Sequence, residues 1–210
     1  MPRLTPTLVQ APASLRNDGS VSLASPPTVG NLMVLAIAGW GSNMNIGQAY
    51  TPSGGWNLIG IYYADINNAV SLWQRRVRTG DAGSVSLSGQ DNHAAVIYEY
   101  QNAVGCYPLS GGAMGQYFSS NNFSLPIVRS PFGINDQVIC IFQHDTTPVW
   151  GITGETGVVV DYITPSSAFN HTSAFARSLP THIDRGIEGS IIGTPVSPVF
   201  GQFVVVGDFG

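Results

Sequence analysis

Short apolar runs, broken every few residues by turn formers, constrain this chain more than any other feature. No window of a dozen residues keeps apolar side chains at the three-and-four spacing of a helix face without Gly, Pro or Asn interrupting it. Strand-like runs recur instead. They are predicted at Leu8 to Ala11, Ser20 to Ala24, Leu32 to Trp40, Trp56 to Ala64, Val70 to Arg78, Ser84 to Leu87 and His93 to Tyr100. Others follow at Gly115 to Phe118, Gln137 to His144, Gly157 to Tyr162, Ser173 to Leu179, Ser190 to Gly193 and Gly201 to Asp208. Between them lie Asp18 with Gly19, Pro52 to Gly55, Asn67 with Asn68, Asp81 to Gly83 and Gly111 with Gly112, each able to bend the chain without strain.

Trp56 to Arg78 is the clearest hairpin. Leu58, Gly60 and Tyr62 alternate with Ile59, Ile61 and Tyr63, the turn falls at Asp65 to Asn68, and Val70, Leu72 and Gln74 return against Ser71, Trp73 and Arg75. Closely spaced strands without intervening helices point to an all-β fold, an antiparallel β-sandwich of jelly-roll type. All-β folds reach 210 residues undivided, so residues 1–210 are expected to form one domain with a short N-terminal segment. Such a domain buries roughly 70% of its unfolded surface and needs no staple. The stretches Ala103 to Pro131 and Thr146 to Glu155 read as elaborated loops, because Gly, Ser, Thr, Asn and Pro crowd them.

Composition narrows the function classes. Asp, Glu, Lys and Arg make up 10% of the chain, against about a quarter in ordinary globular domains. Surface polarity must therefore come from neutral loops. The net charge of −4 disfavours general nucleic-acid binding. All eight basic residues are Arg, for which we have no physical account. The start, with Pro2, Arg3 and Pro6, has no signal-peptide apolar run. Leu32 to Ala38 is far shorter than the about 20 residues that cross a bilayer, so no membrane insertion is expected. Cys106 and Cys140 lack metal-ligand spacing and are expected to be buried and reduced.

From Gly30 to Ala103 the segments GNLMVLAIAGWG, TPSGGWNLIG, SLWQRRVRTGDAGSVSLSG and NHAAVIYEYQNA follow one another. This succession resembles jelly-roll accessory proteins of tailed bacteriophages and gene transfer agents: head decorations, spikes and tail-associated proteins. The carriers are Gly30, Asn31, Pro52, Gly55, Trp56, Trp73, Gly80, Asp81, Ala94, Ala95 and Tyr100, and the second half of the chain repeats the plan more loosely. The resemblance implies a fold and a place in the virion, with no catalytic residue transferred.

Candidate chemistry is sparse. There is no Gly-x-Ser-x-Gly elbow for a serine hydrolase. A glycosidase would draw on Glu99, Glu155 and Glu188, but Glu99 between Tyr98 and Tyr100 reads better as a carboxylate paired with Arg at a strand edge. His93, His144, His171 and His182 could hold zinc only by converging from separate strands. Asp81 reads as turn chemistry rather than a calcium ligand. Arg75, Arg76 and Arg78 could grip an acidic neighbour, although such a run more often marks a solvated or guarded edge strand. Tyr50 and Trp150, in expected loops, could stack on a sugar or anchor an interface.

The expectation is therefore a non-enzymatic structural protein of a tailed-phage virion, made in the host cytoplasm. It would attach to capsid or tail proteins through one face or its N-terminal segment, as a homo-oligomer, a trimer first, with no cofactor or metal. Few charges and many neutral loops suit a permanent contact. The alternative is a host-surface glycan-binding module using the loops Gly41 to Tyr50 and Thr146 to Glu155. A depolymerase acting through Glu155 and Asp145 is the third reading.

Overall fold

The computed structural model describes residues 4–16, 19–40, 52–64, 68–87, 92–113, 118–119, 122–126, 135–145, 149–154, 158–163, 171–178, 186–191 and 196–208. The strands of the first half are β1 (Thr7–Arg16), β2 (Gly19–Ser22), β3 (Leu32–Trp40), β4 (Asn57–Tyr63), β5 (Asn68–Arg76), β6 (Ser84–Leu87) and β7 (Asn92–Gln101). The second half holds β8 (Ala103–Ala113), β9 (Phe118–Ser119), β10 (Asn122–Pro126), β11 (Gln137–Asp145) and β12 (Val149–Gly154). It continues with β13 (Val158–Ile163), β14 (His171–Ser178), β15 (Gly186–Ile191) and β16 (Val196–Gly207). There is no helix among the described residues, and every ladder is antiparallel.

The fold is an all-β antiparallel sandwich. One five-stranded sheet runs β1-β7-β3-β5-β4, and a second runs β13-β14-β11-β16-β8. The chain completes the first before entering the second. These orders establish the sandwich and stop short of a jelly-roll winding. Side chains from both sheets interdigitate between them: Val34, Ala36, Val70, Leu72, Val96 and Tyr98 on one side, Ile139, Ile141, Phe175, Phe203 and Val205 on the other.

Two further layers explain why the central strands read as continuous apolar runs rather than alternating ones. The ribbon β2-β6 lays Val21, Leu23, Val85 and Leu87 over Met33, Leu35, Ile37, Trp73 and Ile97 on the outer face of the first sheet. The second sheet also buries its far face, with Val138, Cys140, Phe142, Ala174, Ala176 and Phe200. Strands β12 and β15 of a four-stranded sheet, ordered β12-β15-β10-β9, lie against β13 and β14. β3 and β11 thus hide both faces.

Two expectations are corrected. The stretch from Ala103 holds β8, β9 and β10, and the stretch from Thr146 holds β12. Gly105 and Gly111 are positions on β8 where a neighbouring side chain approaches closely. A Cβ at Gly111 would sit 2.3 Å from the Tyr62 ring, and one at Gly60 would sit 3.0 Å from Phe203. In the predicted hairpin, β4 pairs β5 as expected, but a bulge between Leu58 and Gly60 breaks the alternation. Ile59 therefore joins Tyr62 in the inter-sheet core, while Ile61 and Tyr63 face the ribbon. At the described start of the chain, the Leu4 amide donates to the Asp208 carbonyl at 2.7 Å, and Pro6 is buried.

Candidate functional site

Of the arginines predicted as a binding cluster, Arg75 and Arg76 end β5, an interior strand between β3 and β4, so protecting an edge of their own strand is not their role, and Arg78 lies just beyond it. Arg75 faces the ribbon side. Its guanidinium lies over Trp56 at 5.9 Å, ion-pairs with Asp81 at 2.6 Å and donates to the Gly54 carbonyl. Gly54 has φ +91°, and a Cβ there would stand 2.9 Å from Arg75 Nη1, so both backbone and space favour glycine. Asp81 closes its own turn by accepting from the Arg78 amide at 2.7 Å, as its turn reading requires. That amide bond holds its carboxyl below the usual carboxylate range, with Arg75 assisting.

Arg76 faces the other way. Its Nη1 donates to the carbonyls of Gly30 (3.0 Å) and Ala103 (2.7 Å), and its Nη2 to Val104 (2.7 Å). It thereby staples the turn before β3 to the crossing from β7 into β8. Arg78 is exposed. Two of the three arginines are thus spent on backbone carbonyls and an internal ion pair. The carriers Gly30, Gly55, Trp56, Gly80 and Asp81 cluster in sequence around these two staples because they build the turns the staples hold.

Glu99 is fully buried on β7, between β1 and β3, not at an edge and not beside Arg. Its carboxylate accepts from Gln10 Nε2, from the Thr28 amide at 2.8 Å and from Asn31 Nδ2 at 2.6 Å. Gln10 also brackets Ser25, accepting from its amide at 3.0 Å and donating to its carbonyl at 3.2 Å. A buried carboxylate is tolerated only when its lone pairs are filled, and this one gathers β1, β7 and the loop before β3.

Sequence reasoning also missed the inward-turned carboxylate of Asp161. Asp161 is the extra residue in the β13–β14 ladder, where Val160 pairs Ala176 and Tyr162 pairs Phe175. The bulge turns its side chain inward, to 3% exposure. Tyr98 Oη donates to Oδ2 at 3.1 Å from the opposite sheet, and Arg177 Nε donates to Oδ1 at 3.1 Å. Burial pushes the Asp161 carboxyl up despite both donors, and pushes the Tyr98 phenol well above its ordinary value, so the phenol remains a donor. Only a break in the period at Asp161 could have signalled this.

The far end of the inter-sheet core is polar as well. Gln143 Nε2 donates to Asn68 Oδ1 at 2.9 Å, both side chains being buried. Asn68 pairs Trp40 at the end of β3, and Asp145 ends β11 two residues beyond Gln143. The described ends of β3, at Trp40, and of β11, at Asp145, therefore both lie at this end. Tyr50 lies outside the described residues. Trp150 has its backbone in β12 opposite Ser190, not in a loop, and its side chain is outside the described ones.

Of the histidines, His93 is buried on β7, and Asp145 and His171 are paired register positions of β11 and β14. His182 and Glu155 lie outside the described residues. Among the described residues no group of three His, Cys, Asp or Glu could hold a metal. Cys106 and Cys140 are free and buried as expected, on opposite faces of the second sheet. Among the described residues the exposed large apolar side chains are Leu4, Val9, Val29, Leu58, Val104 and Tyr107; Leu58 lies on β4 and Val104 and Tyr107 on β8, edge strands that contact each other. The chain matches no protein-family model, no curated protein and no solved structure.

Proposed function

We propose that this chain is a structural module working by protein-protein attachment, as an accessory component on the head or tail of a tailed-phage particle. One observation carries the attachment reading. Glu99, Asp161, Arg75, Arg76, Arg177 and Asp81 are all consumed in staples within the fold, while Leu58, Val104 and Tyr107 stand exposed on the adjoining edge strands β4 and β8. Apolar surface beside neutral loops suits a durable protein contact. The phage setting is supported by the resemblance running from Gly30 to Ala103. The test is co-sedimentation of the purified protein with phage heads or tails assembled without it. Binding that falls when Val104 and Tyr107 are changed to Ser is the expected result; a protein that ignores both particles overturns the reading.

A glycan-binding module is the second reading. It is favoured by the ends of β3 at Trp40 and of β11 at Asp145, which both lie beside the Asn68–Gln143 pair. Glycan-array binding that disappears in Tyr50→Ala and Trp150→Ala variants would support it, and a clean negative array would remove it.

A further inference from the structure

The outer strands of the two large sheets are β1 and β4 in the first, β13 and β8 in the second. Every ladder that holds one of them shifts register: β1 between Leu8 and Gln10 and again before Ala13, β4 between Leu58 and Gly60, β13 between Val160 and Tyr162, and β8 at two places. Of the ladders between interior strands, only β11–β16 shifts, at its last described pair. An even row of free amides and carbonyls on an outer strand is a template for another chain, and bulges break such a row.

β8 is the longest of the four, with 11 residues. Its shifts leave Val104 and Leu109 without register partners, and Gly105 to Pro108 pair evenly with β16 between them. Along that stretch the first sheet reaches across. The Cys106 amide donates to Gln74 Oε1 at 2.7 Å, which uses its one hydrogen. The Ala103 and Val104 carbonyls accept from Arg76 at 2.7 Å each. Gln74 and Arg76 stand two residues apart on β5, and so on one face of it. Gly105 leaves the room they need, since a Cβ there would stand 3.3 Å from Gln74 Oε1. Pro108 has no amide hydrogen to offer. An incoming strand would thus find the backbone groups of this stretch already held, and would have to desolvate the exposed Arg76 cation to reach them.

We propose that Gln74 and Arg76, side chains of an interior strand, close the β8 edge of the opposite sheet against strand addition by other chains. Whatever meets β8 then meets its side chains, Val104 and Tyr107, and not its backbone. The closure belongs to the chain itself and does not depend on the phage setting, which co-sedimentation reads separately. The test is the double variant Gln74→Met/Arg76→Met, which keeps side-chain bulk and removes the acceptor and the donors. Near-UV circular dichroism checks its fold, sedimentation velocity across concentration reads its association, and amide exchange at Cys106 is followed by NMR. In the wild type that amide exchanges slowly at every concentration. In the dilute variant it should exchange about tenfold faster or more, having lost its acceptor. On concentration the variant should associate beyond the wild type and protection at Cys106 should return, as an added strand takes up the amide. A folded variant that associates no more than the wild type overturns the proposal. So does association that leaves Cys106 unprotected, because the copies then meet elsewhere. Should the double variant lose its fold, Gln74→Met alone opens the Cys106 amide and is judged by the same two readings; loss of fold there too overturns the proposal, since the pair would then be props of the fold.

Discussion

Tyr98 and Asp161 meet across the gap between the two large sheets, the phenol donating to the carboxylate at 3.1 Å from a strand 63 residues earlier in the chain. Asp161 arrives there because β13 bulges at that residue, and Arg177 on the neighbouring strand fills its second oxygen. β13, an edge strand of its sheet, is thereby tied to the opposite sheet by a polar contact within an apolar layer.

Burial raises the Asp161 carboxyl above its unfolded value, so the ionised form weighs against folding at neutral pH. As pH falls through the raised folded value toward the ordinary carboxylate value, this group favours the fold. The stability of the wild type relative to Asp161→Asn should therefore rise as pH is lowered from neutral through the raised folded value toward the ordinary carboxylate value. Urea midpoints of both proteins across that range check it, and a constant or falling difference would contradict the sign.

Removing the Glu99 carboxylate should be severe. Glu99→Ala leaves the Gln10, Thr28 and Asn31 donors without their shared acceptor. Hydrogen bonds to a buried charge each contribute about 1.5–3 kcal/mol, and orphaned donors add to the loss, so about 3 kcal/mol or more is expected. Denaturant unfolding of Glu99→Ala measures it; a loss below about 1 kcal/mol would mean the network contributes little.

Gly111 exists to make room for Tyr62, since a Cβ there would stand 2.3 Å from the ring. Gly111→Ala should destabilise by about 1–3 kcal/mol through overpacking. In a Tyr62→Ala background most of that penalty should vanish, because the clashing ring is gone. The double-mutant cycle tests this; additive losses would show that the glycine serves another purpose.

Cys106 faces the inter-sheet core and Cys140 the opposite face of the same sheet, both with thiols pushed far up by burial. Thiolate is the reactive form, so labelling by a maleimide should proceed only as fast as the fold opens. Labelling rates measured across denaturant should track unfolding. A rapid native reaction at either cysteine would show that its burial is incomplete.

Much of the strand content was legible because it is a local property. Leu32 to Trp40 and Ser84 to Leu87 were predicted to the residue, since period-two burial or an unbroken apolar run declares itself within one strand. β8 and β10 were not, because Gly, Ser and Pro at those positions answer neighbours such as Tyr62 that lie far away in sequence. The arginine cluster was visible as a feature but not as a role: nothing near Arg76 in the chain announces that the Ala103 and Val104 carbonyls will stand beside it.

From its order of residues alone the protein was bound to be antiparallel β, with turns at Pro52 to Gly55 and at Asp81, because backbone preference and apolar periodicity act between near neighbours. Tertiary structure alone decided that Glu99 is interior, that Ile59 and Asp161 are turned inward by bulges, and which strands share a sheet. Those outcomes depend on pairings between segments tens of residues apart. Their free energy comes from filling a shared core and satisfying its polar groups, which no local stretch of sequence contains.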